Sequence, residues 1–165
     1  NSLLSESGFE KDLGILSIDI DGVDYWILES IDCFEPRILI LEYNAVFGPE
    51  RTVTVPNDPS FNRTSKHFTN LYFGASFSAL RDLAISKGYT LVGTNSSGGN
   101  AFFVRNDLMD QELKEFSASA GFTNSKFRES RNEKGELTFL RGEERIAAIK
   151  GLTVINTRTG VEEHI

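Results

Sequence analysis

The amino-acid sequence predicts an α/β fold in which helices flank a partial open sheet of two parallel strands and an antiparallel hairpin. Two short apolar segments, 15–20 and 37–42, predict parallel strands that are buried on both faces and that run into acidic or polar residues at their carboxyl ends. An amphipathic helix is expected over 74–87. Two further strands, 89–93 and 101–105, enclose the turn-forming sequence TNSSGGN, which favours a hairpin.

The other elements in the first two thirds of the chain follow from local signals. Residues 2–9 predict the last turns of a helix, and Asp24 is expected to act as the N-cap of a helix over 25–31. Residues 48–70 are rich in Pro, Asn, Ser and Thr and predict a long loop, with one short extended piece at 51–55.

The sequence becomes more polar in its last third. The expected elements there are all short: a helix over 107–116, a hairpin within 121–141 that turns at Glu133-Lys134-Gly135, and a helix over 143–150. We therefore predict an α/β unit over 1–106 and a helical and hairpin extension over 107–165 that packs on the same domain.

Composition limits the classes of function. The chain has 165 residues, 17 Lys and Arg against 24 Asp and Glu, and a formal net charge of -7. Such a chain repels polyanions, which argues against nucleic acid as a general partner. Cys33 is the single cysteine, so an internal disulfide is excluded and a reducing, cytoplasmic setting is expected. No apolar run reaches the roughly 20 residues that span a bilayer, so no membrane span is predicted.

Acidic and amide side chains follow both strands of the predicted parallel pair. Because the carboxyl ends of parallel strands meet at one edge of a sheet, these side chains are expected to converge there. The members of this rim are Asp19, Asp21, Asp24, Glu42 and Asn44. In an open α/β sheet that edge is where ligands bind, so the rim is the candidate functional site.

Four segments resemble a known family. They are LSIDIDGVDYW (16–26), PRILILEYNAVFGPE (36–50), YFGASFSALRDLAISKGYTLVG (72–93) and GGNAFFVR (98–105). In this order, over about residues 1–106, they are similar to the carboxyl half of FkbM-like class I methyltransferases that depend on S-adenosylmethionine. The resemblance implies a Rossmann-like methyltransferase sheet, of which this chain supplies the fourth to seventh strands. It also implies methyl transfer to an oxygen, or less often a nitrogen, of a small or glycan-like acceptor.

The chain departs from that family in one respect. The family holds its cofactor with a glycine-rich turn after the first strand and an acidic residue after the second, and neither has a counterpart here. Three explanations stay open: a fragment of a longer chain, a missing half supplied by another polypeptide, or a catalytically inactive binding or assembly module. In each case strand 15–20 is an apolar edge, which predicts self-association or pairing with the missing amino-terminal half.

The resemblance and the rim together suggest roles for particular residues. The candidates are Asp19 or Asp21 as catalytic base, Asp19 and Tyr25 at S-adenosylmethionine, Asn44 and Asn100 at the acceptor, and Asp21 with Glu42 as ligands of a Mg²⁺ ion. Each has a structural alternative, since acidic residues also cap helices or bind turn amides and aromatic side chains also pack in cores. The basic residues of the last hairpin either grip an anionic acceptor or lie on a solvated surface: Lys126, Arg128, Arg131, Lys134 and Arg141.

Overall fold

The computed structural model describes all 165 residues and has a mixed α/β architecture with two sheets. In chain order its helices and strands are α1 (Ser2–Glu6), β1 (Ile15–Ile18), α2 (Asp24–Ser30), β2 (Ile38–Glu42), β3 (Val53–Thr54), α3 (Arg63–Lys66), α4 (Phe77–Ser86), β4 (Tyr89–Thr94), β5 (Asn100–Arg105), α5 (Ala118–Gly121), α6 (Glu143–Ala147), β6 (Thr153–Asn156) and β7 (Glu162–His164). Single turns of 3₁₀ helix lie at Ala45–Phe47 and Asn106–Leu108.

The larger sheet has four strands in the order β1-β2-β5-β4. Strand β1 runs parallel to β2, while β5 is antiparallel to both of its neighbours. The predicted parallel pair and antiparallel hairpin are therefore confirmed. Glu42, the last residue of β2, lies opposite Asn100, the first residue of β5. Both residues therefore lie at the end of the sheet where the parallel strands β1 and β2 finish.

The main core lies on one face of this sheet. Alternate residues of β2 and β5, such as Leu39, Leu41 and Phe103, pack against Leu28 of α2 and Leu80 of α4. Alternation of buried and half-buried residues along β2 shows that the expectation of a strand fully buried on both faces is wrong. A strand needs a packed layer on each side for that, and here helices cover one side.

The same expectation is wrong for β1, for a second reason. Ile18 is buried, but Ile15 is 58% exposed. Strand β1 lies at the edge of the sheet and has β2 as its only neighbour, so one side of its backbone is unpaired.

The last third of the chain contributes to a second core. Strand β3, from the long loop, pairs with β6, and β6 pairs with β7 to give a three-stranded antiparallel sheet. In this second core, Val53 and Leu71 pack with Ile149 and Val154. The extension thus packs on the same body as the first 106 residues and completes a sheet with them.

Other expectations for the last third need correction. The helix expected over 107–116 is a single 3₁₀ turn followed by irregular chain, because the Asp110 carboxylate accepts hydrogen bonds from the Glu112 and Leu113 amides and forms a local turn instead. The predicted antiparallel turn at Glu133-Lys134-Gly135 is confirmed, but its ladder is a single bridge, between Arg131 and Leu137. Helix α6 ends at Ala147, three residues before the expected end.

Gly98 provides a sharp test of the packing between the β4–β5 loop and the extension. It has a φ of +75°, and a Cβ there would lie 2.3 Å from the Asn124 carbonyl oxygen, whereas a Cβ at Gly99 would meet nothing within 4 Å. We expect Gly98→Ala to lower the free energy of unfolding by about 2 kcal/mol or more, from left-handed strain plus backbone displacement. Urea denaturation of both variants checks this, and equal losses in Gly98→Ala and Gly99→Ala would contradict it.

Candidate functional site

A cavity of about 230 Å³ opens at the carboxyl ends of β1 and β2, and we call it the rim cavity. Asp21, Glu42 and Asn44 line it, as the topology of two parallel strands requires. Arg63 and Phe73 form another part of its wall, and the loop 97–99 between β4 and β5 closes the third side. The structure therefore brings together side chains from both parallel strands, the long loop and the hairpin loop.

Glu42 is the chemically unusual group in the rim cavity. Its Oε2 atom is buried and has no hydrogen-bond partner in the protein. Burial raises the pKa of this carboxyl to about 8, with a further contribution from the negative charges of Asp19, Asp21 and Asp24. Glu42 is therefore largely protonated at pH 7 and ionises just above neutrality, within the range where a carboxyl group can exchange a proton with a ligand.

Asp19 and Asp21 lie in the turn that follows β1 and are both exposed. The pKa of Asp19 is raised, first by partial burial and then by the charges of Asp21 and Asp24. Asp21 has a left-handed φ of 54° and forms an ion pair with Arg63. The Arg63 guanidinium also stacks 3.9 Å from the centroid of the Phe73 ring, so the cation that holds Asp21 is fixed on a second side.

Asp24 has a different role from the one the sequence indicates. It is 2% exposed, and its two carboxylate oxygens accept hydrogen bonds from the Ile20 and Gly22 amides, each at 2.9 Å. The expected N-cap is wrong: Val23 occupies that position, and Asp24 is the first residue of α2. Two amides of the turn between strand and helix are therefore already bound within the protein.

Of the remaining predicted site residues, Asn44 and Tyr25 have structural roles, and Asn100 lies beside the rim. Asn44 is buried, donates from Nδ2 to the Leu71 and Phe73 carbonyls, and accepts from the Val46 amide at Oδ1. Tyr25 lies in the main core and not on the rim cavity. Asn100 is half-buried opposite Glu42, which leaves it beside the rim.

Arg63 is the wall residue that sequence reasoning missed. Its Nε donates to the Asn70 carbonyl at 2.7 Å, which holds the side chain against the rim from the far end of the long loop. Nothing in the sequence around Asn62-Arg63-Thr64 distinguishes it from an ordinary loop arginine. Only the tertiary fold, which returns the loop to β1, brings it to Asp21.

No group of three or more His, Cys, Asp or Glu side chains is arranged to hold a metal ion. No helix combines the length and apolar character needed to cross a membrane. Comparison of the chain with protein-family models, curated proteins and solved structures found no match.

The raised pKa of Glu42 predicts a pH-dependent stability. The folded state holds the proton up to about pH 8, while the unfolded chain releases it near the ordinary value of 4.5, so this contribution is full below about pH 4.5 and is lost as the pH rises through 8. Between pH 5 and pH 9 we expect wild type to lose about 2 to 4 kcal/mol of unfolding free energy that Glu42→Gln retains.

Urea denaturation at pH 5, 7 and 9 measures that difference. Glu133→Gln, at the exposed tip of the last hairpin, is the matched control and should follow wild type. A Glu42→Gln profile parallel to that of wild type would show that Glu42 titrates normally.

Proposed function

We propose that this chain is the carboxyl half of an FkbM-like class I methyltransferase domain and supplies the acceptor side of its site. The reaction would transfer a methyl group from S-adenosylmethionine to a hydroxyl, or less often a nitrogen, of a small or glycan-like acceptor. Support comes from the sheet, in which a parallel pair is followed by an antiparallel hairpin as the resemblance implies. A Rossmann-like assignment of this sheet is part of the proposal.

The observation that carries the proposal is the carboxyl of Glu42, whose Oε2 atom is buried without a protein partner in a cavity at the carboxyl ends of two parallel strands. Methylation of a hydroxyl requires a group that removes its proton. A carboxyl with a pKa of about 8 is a stronger base than an ordinary glutamate and still ionises near physiological pH. In this proposal Glu42 takes the proton, and Asp19 is the second acid of the site.

The residues present do not by themselves build a cradle for S-adenosylmethionine. The turn between β1 and α2 has its Ile20 and Gly22 amides bound to Asp24, so they are not free for a ligand. Tyr25, the residue expected to contact S-adenosylmethionine, packs in the core. The proposal therefore assigns the cofactor cradle to residues outside this chain and leaves only Asp19 near it.

A Mg²⁺ ion held by Asp21 and Glu42 stays a prediction and is not part of the proposal. Arg63 already neutralises Asp21, and Glu42 carries a proton at pH 7. Both conditions weaken a site for a hard divalent cation, which needs ionised oxygen ligands.

Calorimetric titration of S-adenosylmethionine into the protein isolated from its source tests the proposal, because any polypeptide that completes the sheet is then present. We expect binding, and about 10-fold weaker binding for Asp19→Asn, which loses one charged hydrogen-bond acceptor at the rim. Asp32→Asn, an exposed carboxylate beyond α2, is the control and should bind as wild type does. Absence of heat from every native species would overturn the assignment.

One set of observations favours a second candidate, a catalytically inactive module that assembles through its sheet edge. Strand β1 is unpaired on one side, and Ile15 and Ile20 are 58% and 53% exposed. A second copy could add its own β1 to this edge and cover both side chains.

Self-association of the chain tests that candidate. We expect wild type to dimerise as its concentration rises, and Ile15→Lys to remain monomeric because a charge at the edge opposes strand addition. Val161→Lys, at a residue that is also 58% exposed but lies away from β1, should dimerise like wild type. Sedimentation of all three proteins provides the measurement, and a monomeric wild type at high concentration would exclude pairing between copies.

A further inference from the structure

A second cavity of the protein is larger than the rim cavity. It has a volume of about 600 Å³ and lies between the 3₁₀ turn at Ala45–Phe47, the segment 124–128 and the start of α6. Three arginines line it, Arg128, Arg141 and Arg145, and we call it the arginine cavity. Its volume is in the range of cavities that hold small molecules.

These three arginines differ from all the others in the chain. None of their guanidinium groups makes an ion pair or a hydrogen bond within the protein. Every other arginine side chain has a partner: Arg51 donates to the His164 carbonyl, and the rest lie next to carboxylates, namely Arg37, Arg63, Arg81, Arg105, Arg131 and Arg158. In a chain with a net charge of -7, the arginines without partners all lie around one cavity.

Arg145 shows that this arrangement is unfavourable without an anion. Its Nε atom is buried with no hydrogen-bond acceptor. Its pKa is lowered, first by burial and then by the positive charge of Arg63. Leaving a half-buried guanidinium unpaired near a second cation destabilises the folded chain, and a bound anion would remove that penalty.

The charge balance indicates the class of anion. Glu143 is the one carboxylate that lines the arginine cavity, and it forms no ion pair with the three arginines. Three positive charges and one negative charge leave a net of two positive charges around the cavity. A phosphoryl group is a dianion near neutral pH, and guanidinium groups bind its oxygens in pairs through parallel N–H donors.

We propose that the arginine cavity binds the phosphoryl group of a phosphorylated small molecule, held by Arg128, Arg141 and Arg145. The site does not depend on the methyltransferase proposal, because it uses different residues and needs no cofactor. The proposed site also divides the basic residues of the last hairpin between the two roles suggested by the sequence, binding an anion and lying on a solvated surface. Arg128 and Arg141 face the cavity, whereas Arg131 pairs with Glu129.

Calorimetric titration of inorganic pyrophosphate into the full chain at low ionic strength tests this site. We expect wild type to bind, and Arg145→Gln and Arg128→Gln each to bind about 10-fold more weakly, since each loses charged hydrogen bonds to the anion. Lys150→Gln makes the same change in net charge at an exposed residue outside the cavity, and its affinity should match that of wild type.

Thermal unfolding of the same variants separates binding from folding. Without ligand, Arg145→Gln should unfold at a higher temperature than wild type, because an unpaired buried cation has been removed; an arginine with a structural role would give the opposite shift. At one pyrophosphate concentration, the unfolding temperatures of wild type and Lys150→Gln should rise by similar amounts, and that of Arg145→Gln should rise less. No heat with wild type, equal weakening in Lys150→Gln, or equal affinity for citrate would overturn the assignment.

Discussion

The buried side chain of Asn44 is the junction on which both cores depend. Its amide donates to the carbonyls of Leu71 and Phe73, and its oxygen accepts from the Val46 amide, so one side chain ties β2 to the returning end of the long loop. The residue before it, Tyr43, packs in the main core, and Val46 packs in the second. These bonds also fix the end of β2, which holds Glu42 at the rim.

Glu42 and Arg145 belong to adjoining cavities of different character. The rim cavity holds the protonated carboxyl of Glu42 and the Asp21–Arg63 ion pair, whereas the arginine cavity is cationic, and both are lined by Ala45 and Ser125. Arg63 acts on both cavities. It pairs with Asp21 at the rim, and its positive charge lowers the pKa of Arg145.

Local signals in the sequence were sufficient for the larger sheet but not for the site. Apolar runs and turn residues predict β1, β2, α4 and the β4–β5 hairpin, because those elements bury a periodic set of side chains. Strands β6 and β7 are short and only partly apolar, and they form through tertiary pairing: β6 pairs with β3, and β7 pairs with β6. Acidic residues after β1 are visible as a group, but the sequence does not show that Asp24 would bind the turn amides. Arg63 and Arg145 reach their cavities through long-range packing alone.

The location of unsatisfied polar atoms favours a ligand-binding role over pure assembly. Buried side-chain polar atoms without a protein partner occur in four residues, Glu42, Asn70, Arg81 and Arg145, and two of these line the adjoining cavities. Such atoms destabilise a fold and are uncommon away from sites with a function. A module that only paired its edge strand would use β1. That contact does not require a buried Glu42 oxygen without a partner in one cavity, or arginines without partners in the next. Their retention is explained if a ligand supplies the missing partners.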